Sequence, residues 1–177
     1  MTQPVLARTR SRVGALAGVV AAGALLLAAC SGDSAEDSPP PPPPLMAEKS
    51  EQGALAFVEH FFDQVNAAAM GPDTELIPVL SSPTCDACAG LQGMVVELVA
   101  ADQRAAAPLF SVSDIGAVAQ EGGTTYVIEF TRHSAAIEIL NADDSVETVL
   151  QAGESGRVVA VRWEDGAWQL LGAESTD

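Results

Sequence analysis

From Ser50 the apolar residues Leu55, Val58, Phe61, Phe62 and Val65 recur with a period of about 3.6 residues, and Gly71-Pro72 closes the run. The spacing predicts a first helix with one apolar face. Asp73 or Thr74 is placed to cap a short helical piece through Leu80. Ser81-Ser82-Pro83-Thr84 then breaks the chain and caps a third helix, which carries Leu91, Val95, Leu98 and Val99 on one face and ends before Pro108. Gly53 and Gly93 weaken these helices, each by up to about 1 kcal/mol relative to alanine.

After Pro108 the period drops to two. Leu109 to Ala119 reads as a strand, Thr124 to Arg132 sets Tyr126, Ile128 and Phe130 against Val127 and Glu129, and two further strands, Ala136 to Leu140 and Val146 to Gln151, flank the polar turn ADDS. The closing stretch RVVAVRWEDGAWQLLG contains Asp165-Gly166, a pair suited to a two-residue hairpin turn. With that turn Glu164 faces Ala167 and Trp163 faces Trp168, and Val159, Val161 and Leu170 share the face of the two indoles. Such a cross-strand pair is worth of order 1 kcal/mol. It reads first as core packing, with an aromatic ligand platform as the alternative. Helices followed by a meandering antiparallel sheet indicate an α+β domain whose N-terminal helices pack on one face of a curved sheet.

The N-terminal segment has a different organisation. Arg8, Arg10 and Arg12 stand without acids before an apolar run from Val13 that ends in Leu27-Ala28-Ala29-Cys30. This is the pattern of a secretory leader, and the run is shorter than the roughly 20 residues of a membrane-spanning helix. LAAC resembles the bacterial lipobox, which implies cleavage before Cys30 and lipidation of its thiol. An uncleaved anchor helix with an incidental cysteine is the alternative. The expected organisation is a lipoprotein signal peptide over residues 1–29, a lipidated Cys30 with a proline-rich disordered stalk over 30–48, and a single α+β domain over 49–177. The stalk contains six consecutive prolines, Pro39 to Pro44, and too few apolar residues to bury a core. The expected location is the extracytoplasmic face of the cell membrane, and the membrane partner is reached through the lipid anchor.

Charge narrows the partners further. The chain carries 8 basic and 24 acidic residues, and three of the basic ones lie in the leader, so five against 24 leave residues 30–177 with a formal charge of −19. Phosphate-neutralising surfaces need clustered Lys and Arg, so nucleic acid is excluded as the expected partner. An envelope protein or a second copy of the chain remains open.

AFVEHFFDQVNAA followed by LSSPTCDAC resembles an uncharacterised family of actinobacterial envelope lipoproteins. The element order with the WEDGAW hairpin resembles the nuclear transport factor two-like (SnoaL-like) cone fold, over about residues 47 to 175. The resemblance implies a lipid-anchored extracytoplasmic domain and brings no catalytic residues with it.

The remaining chemistry centres on CDAC. Export leaves Cys85 and Cys88 as the free thiols once Cys30 is acylated, and in an oxidising compartment a close pair forms a disulfide. Closing so short a loop contributes about 2 kcal/mol in the chain-entropy model. A redox dithiol is the rival, because a helix N-terminus also lowers a thiol pKa; half of a metal site is the third reading. A structural zinc site wants four nitrogen or sulfur ligands, whereas one cysteine pair and two separated histidines stand here, so no metal or other cofactor is expected. His60, His133, Asp63 and Tyr126 are the acid–base candidates, and each reads more simply as structural: His60 at a helix edge, His133 exposed at a strand end, Tyr126 in the core with its hydroxyl satisfied. No catalytic residue is assigned. The function expected is a non-catalytic binding or assembly module. The alternative is an envelope enzyme, either a thiol–disulfide oxidoreductase using Cys85 and Cys88 or a pocket-based small-molecule enzyme.

Overall fold

The computed structural model describes residues 43–176; the leader, Cys30 and most of the stalk lie outside them. Helix α1 (Glu51–Met70) starts at Ser50, whose side chain accepts the Gly53 N–H at 3.1 Å, and stops at Gly71. Its apolar face is wider than the pattern implied. Ala54, Phe57, Val58, Phe61, Phe62, Val65 and Ala68 are buried together with the polar His60, Gln64 and Asn66, which leaves only Glu51, Gln52, Glu59 and Asp63 exposed.

Between the helices the expected helical piece shrinks to turns and a single 3-10 turn at Pro78–Leu80, with Asp73 accepting the Glu75 N–H at 2.9 Å. Two of its three residues explain this. Pro78 cannot donate to a continuing helix, and Val79 is exposed and gains nothing by one. Helix α2 (Asp86–Ala101) is capped by Cys85 rather than by Ser82 or Thr84. It buries Cys88, Val95 and Leu98, while Val99, expected on the same face, is 46% exposed. The helix ends early, at Asp102 in the left-handed region, and the chain turns directly into a short strand, β1 (Gln103–Ala105), that the sequence pattern did not mark.

The strands form two sheets where one was expected. β2 (Phe110–Glu121), β3 (Thr125–Ser134), β6 (Gly153–Glu164) and β7 (Ala167–Ser175) make an antiparallel sheet in the order β2-β3-β6-β7, and β4 (Ile137–Asn141) and β5 (Val146–Leu150) join β1 in a second sheet of order β1-β4-β5. The break falls at Ala135-Ala136, after which β4 turns its Ile137 and Ile139 to a small second core with Ala69, Leu98, Ala105 and Leu109. The final hairpin has the expected register: Trp163 opposes Trp168, Glu164 opposes Ala167, and Asp165 and Gly166 both take positive φ. The indoles meet edge-on with centroids 5.2 Å apart, and Trp168 is fully buried while Trp163 is half-buried. The architecture is α+β, with two N-terminal helices packed on curved antiparallel sheet.

Two contacts lock α1 to this sheet. The buried Asn66 amide donates to the Phe110 carbonyl at 2.8 Å and accepts the Phe110 N–H at 2.9 Å, so one side chain satisfies both backbone groups where β2 begins. At the other end, the last residues of the expected stalk fold onto the domain: Pro44–Ala47 form a 3-10 turn, and Trp168 Nε1 donates to the Glu48 carbonyl at 3.2 Å. That turn lies so close to α1 that a Cβ on Gly53 would stand 2.1 Å from the Glu48 oxygen.

Gly53 and Gly93 therefore respond to alanine with opposite sign. Gly93 has open space around its Cβ position, so Gly93→Ala raises stability by up to about 1 kcal/mol through helix propensity. Gly53→Ala meets backbone and lowers it by about 1 to 3 kcal/mol. Urea denaturation followed by Trp fluorescence reads both, and a stabilised Gly53→Ala would contradict the close approach.

Candidate functional site

Helix α2 is held against the sheet by the segment that precedes it. Ser81 bridges Leu170 on β7, and Ser82 N–H donates to the Leu170 carbonyl at 2.8 Å, so the chain enters α2 along the β7 edge. Cys85 and Cys88 are disulfide-bonded across the helix start, with Cα atoms 5.2 Å apart, and Cys85 Sγ accepts the Cys88 N–H at 3.2 Å. Both are only 2% exposed. A dithiol catalyst presents its attacking sulfur to solvent, whereas this pair faces the core and fixes where α2 begins.

With α2 placed this way, a cleft of about 200 Å³ opens between α1, α2 and the four-stranded sheet. Its floor and walls are Phe61, Phe62, Leu91, Phe130, Val159 and Leu170, with Cys88 at the α2 side. Phe62 meets Phe61, Phe110 and Phe130 edge-on at 5.5 to 6.1 Å, so the floor is a packed aromatic cluster. Two cations, Arg132 of β3 and Arg157 of β6, complete the lining. Arg157 lies opposite Phe130, and Arg132 opposite Ser155, so the two arginines are diagonal neighbours on the core side of the sheet. Arg132 lies over the Phe110 ring, its guanidinium carbon 5.0 Å from the centroid, and its Nε is buried without a hydrogen-bond partner. Arg157 Nε donates to Ser155 Oγ at 3.1 Å. Burial, and then the charge of Arg157, push the Arg132 pKa down.

The acid–base candidates lie elsewhere. His60 is buried rather than at a helix edge, because contacts surround α1 on more sides than its apolar stripe predicts. Burial pushes its pKa down, and Asp63, three residues on, opposes this in part. Tyr126 is in the core, its hydroxyl accepting from Gln120 Nε2 at 2.9 Å, and its ring meets Trp168 edge-on. His133 is half-buried: its Nε2 is 2.8 Å from Ser113 Oγ and its Nδ1 is 3.1 Å from Glu154 Oε2. That order resembles a serine–histidine–acid relay. It stands on the outer side of the sheet, however, away from the cleft, and the Ser113 hydroxyl also donates to Asp114 Oδ2 at 2.9 Å. The three side chains clip β2, β3 and β6 together. A larger surface hollow of about 390 Å³ beside β7 has no cationic or aromatic lining, its charged groups being Asp86 and Glu174. Among the described residues, no group of three His, Cys, Asp or Glu side chains is placed to hold a metal.

Sequence reasoning missed the arginine pair. Arg132 and Arg157 lie 25 positions apart with two strands of the other sheet between them, and only the β3–β6 register brings them together.

Residues 28–174 match the model of a family of unknown function, DUF6318. No curated protein matches the chain. Among solved structures, the intermembrane-space region of the chloroplast protein ARC6 is 12% identical, with a TM-score of 0.53 over 71% of this chain and 95% of that one. A protein of unknown function with a cystatin-like fold from Nostoc punctiforme is 13% identical, with a TM-score of 0.41 over 69% of this chain and 90% of that one. At these identities the likeness to ARC6 is one of fold.

Two outcomes follow from the site's surroundings. Reducing the disulfide, or replacing both cysteines by serine, lowers stability by about 2 kcal/mol, read as a lower melting temperature; an unchanged melt would contradict its role at the α2 start. For His60 the folded-state pKa lies below the ordinary value of 6.5. The folded state therefore resists protonation, and the His60 contribution is intact above about pH 6.5 and is lost as the pH falls toward the depressed pKa. Between pH 7.5 and 5.5 the melting temperature of the wild type falls further than that of His60→Gln, and equal falls would contradict the burial.

Proposed function

The chain belongs to this family of unknown function, DUF6318, and we propose that it is a lipid-anchored, extracytoplasmic binding module of the bacterial envelope, attached through Cys30 and binding its ligand in the cleft between the helices and the sheet. The basic residues Arg8 to Arg12, the apolar run and LAAC support the anchor. Two acyl chains on Cys30 would make attachment stable where one would be marginal. The disulfide supports export, since cytosolic thiols of this kind stay reduced. An acidic domain raised on a proline-rich stalk is also repelled by anionic head groups, which keeps it clear of the bilayer.

The observation that carries the binding reading is the cleft itself, an apolar recess with two arginines in its lining. Its lining contains no carboxylate, imidazole or hydroxyl to move a proton, and its one sulfur is engaged in the disulfide. Such a lining holds a ligand and gives little purchase for acid–base or thiol chemistry.

Fractionation tests the anchor. The wild-type chain partitions with membranes and yields an N-terminal peptide beginning at a diacylglyceryl-modified Cys30; Cys30→Ala is neither cleaved at that bond nor lipidated. An unchanged N-terminal peptide mass in Cys30→Ala would overturn the assignment.

A further inference from the structure

Beyond the leader, the chain has five basic residues among 24 acids. Cations so outnumbered have ample choice of carboxylate partners, and two of them take one: Arg104 pairs with Asp144 at 2.6 Å and Arg162 with Glu164 at 2.7 Å. Arg132 and Arg157, like Lys49 at the start of the domain, have no acidic partner among the described residues. They stand instead beside each other on the core side of β3 and β6, at the apolar cleft. Like charges side by side and partly desolvated are unfavourable unless an anion joins them. Their surroundings nevertheless orient them: the Phe110 ring supports the Arg132 plane, and Ser155 Oγ takes the Arg157 Nε–H. Their Nη groups have no partner among the described residues. Two guanidinium forks so placed match the oxygens of one carboxylate or phosphate.

Behind the forks the lining is aromatic and aliphatic, so the molecule that satisfies the arginines must also carry an apolar part. At about 200 Å³ the cleft is smaller than the range of roughly 300 to 1,000 Å³ usual for drug-sized ligands, so that part is a single ring or a short chain. We propose that the cleft binds a small amphiphilic anion, its carboxylate or phosphate monoester held between Arg132 and Arg157 and its compact apolar body inserted against Phe61, Phe62 and Leu91. The assignment rests on the reading of the cleft as a binding site and names the class of ligand it takes.

The test uses the chain as isolated from cells, held in nanodiscs of neutral phosphatidylcholine, with empty nanodiscs as the blank. Calorimetric titration with 4-phenylbutyrate, 4-phenylbutyl phosphate, 4-phenylbutan-1-ol and acetate separates the two head groups, the apolar part alone and the anion alone. Binding of either amphiphilic anion at least about tenfold tighter than the alcohol and acetate is expected, weakened about tenfold or more in Arg132→Gln and in Arg157→Gln. The tighter of the two anions identifies the head group. The melting temperature of ligand-free Arg132→Gln is expected to equal or exceed that of the wild type, since the substitution relieves a desolvated like-charge pair. That separates loss of binding from loss of fold. If the alcohol binds as tightly as the anions, the anion assignment falls and the cleft remains a binding site; if none of the four binds, both fall. An Arg132→Gln chain that melts several degrees lower, with binding unchanged in Arg157→Gln, would make the arginines structural and overturn the proposal.

Discussion

Helix α1 has to be buried on all sides but a thin strip, and the other elements are arranged so as to bury it. Glu51, Gln52, Glu59 and Asp63 are its only exposed residues. Phe57, Phe61 and Phe62 each remove a large side chain from water, worth about 2 to 3 kcal/mol apiece. A flat sheet would cover only one side of such a helix. The four-stranded sheet instead curves, helped by the irregularities in β2 around Asp114, which is held at φ 51°, and the chain splits off β4 and β5 to meet β1 beneath the ends of both helices. Asn66 sets the depth of the helix over the sheet by taking both backbone groups of Phe110. The Pro44–Ala47 turn closes the remaining end, which is why a glycine occupies position 53.

What the sequence made legible was local. The start of α1 at Ser50, the Gly71 stop, the Asp165-Gly166 turn and the opposed indoles all depend on residues within a few positions of one another, and local geometry decides them. The position of the disulfide at the start of α2 was legible for the same reason. What failed depended on distant partners. β1 is three residues long and owes its existence to pairing with Ile139, Leu140 and Asn141. Val99 fits the helical pattern yet is half-exposed among the described residues, and His60, in a polar position by pattern, is buried. The cleft was invisible for a related reason: each arginine alone is one more polar residue on a strand, and only the register between β3 and β6 makes them a pair.

The same curvature that encloses α1 leaves the cleft beside α2, whose start is pinned to the β7 edge by Ser81, Ser82 and the disulfide. The domain then sets two of its few cations in the lining of this gap, where burial and the neighbouring Arg157 oppose the charge of Arg132. A fold selected for stability alone would place them beside carboxylates, as it does with Arg104 and Arg162. The proposed amphiphilic anion would join the two guanidinium groups, and the apolar lining would receive the body that the anion is attached to.

The most direct measurement of this account is the side-chain Nε–Hε spectrum of the ¹⁵N-labelled chain in neutral nanodiscs during titration with 4-phenylbutyrate. The account predicts that the Arg132 and Arg157 resonances shift together along one saturable curve while those of Arg104 and Arg162 stay in place. Uniform drift of all four resonances, or saturation that leaves Arg132 and Arg157 unmoved, would contradict it.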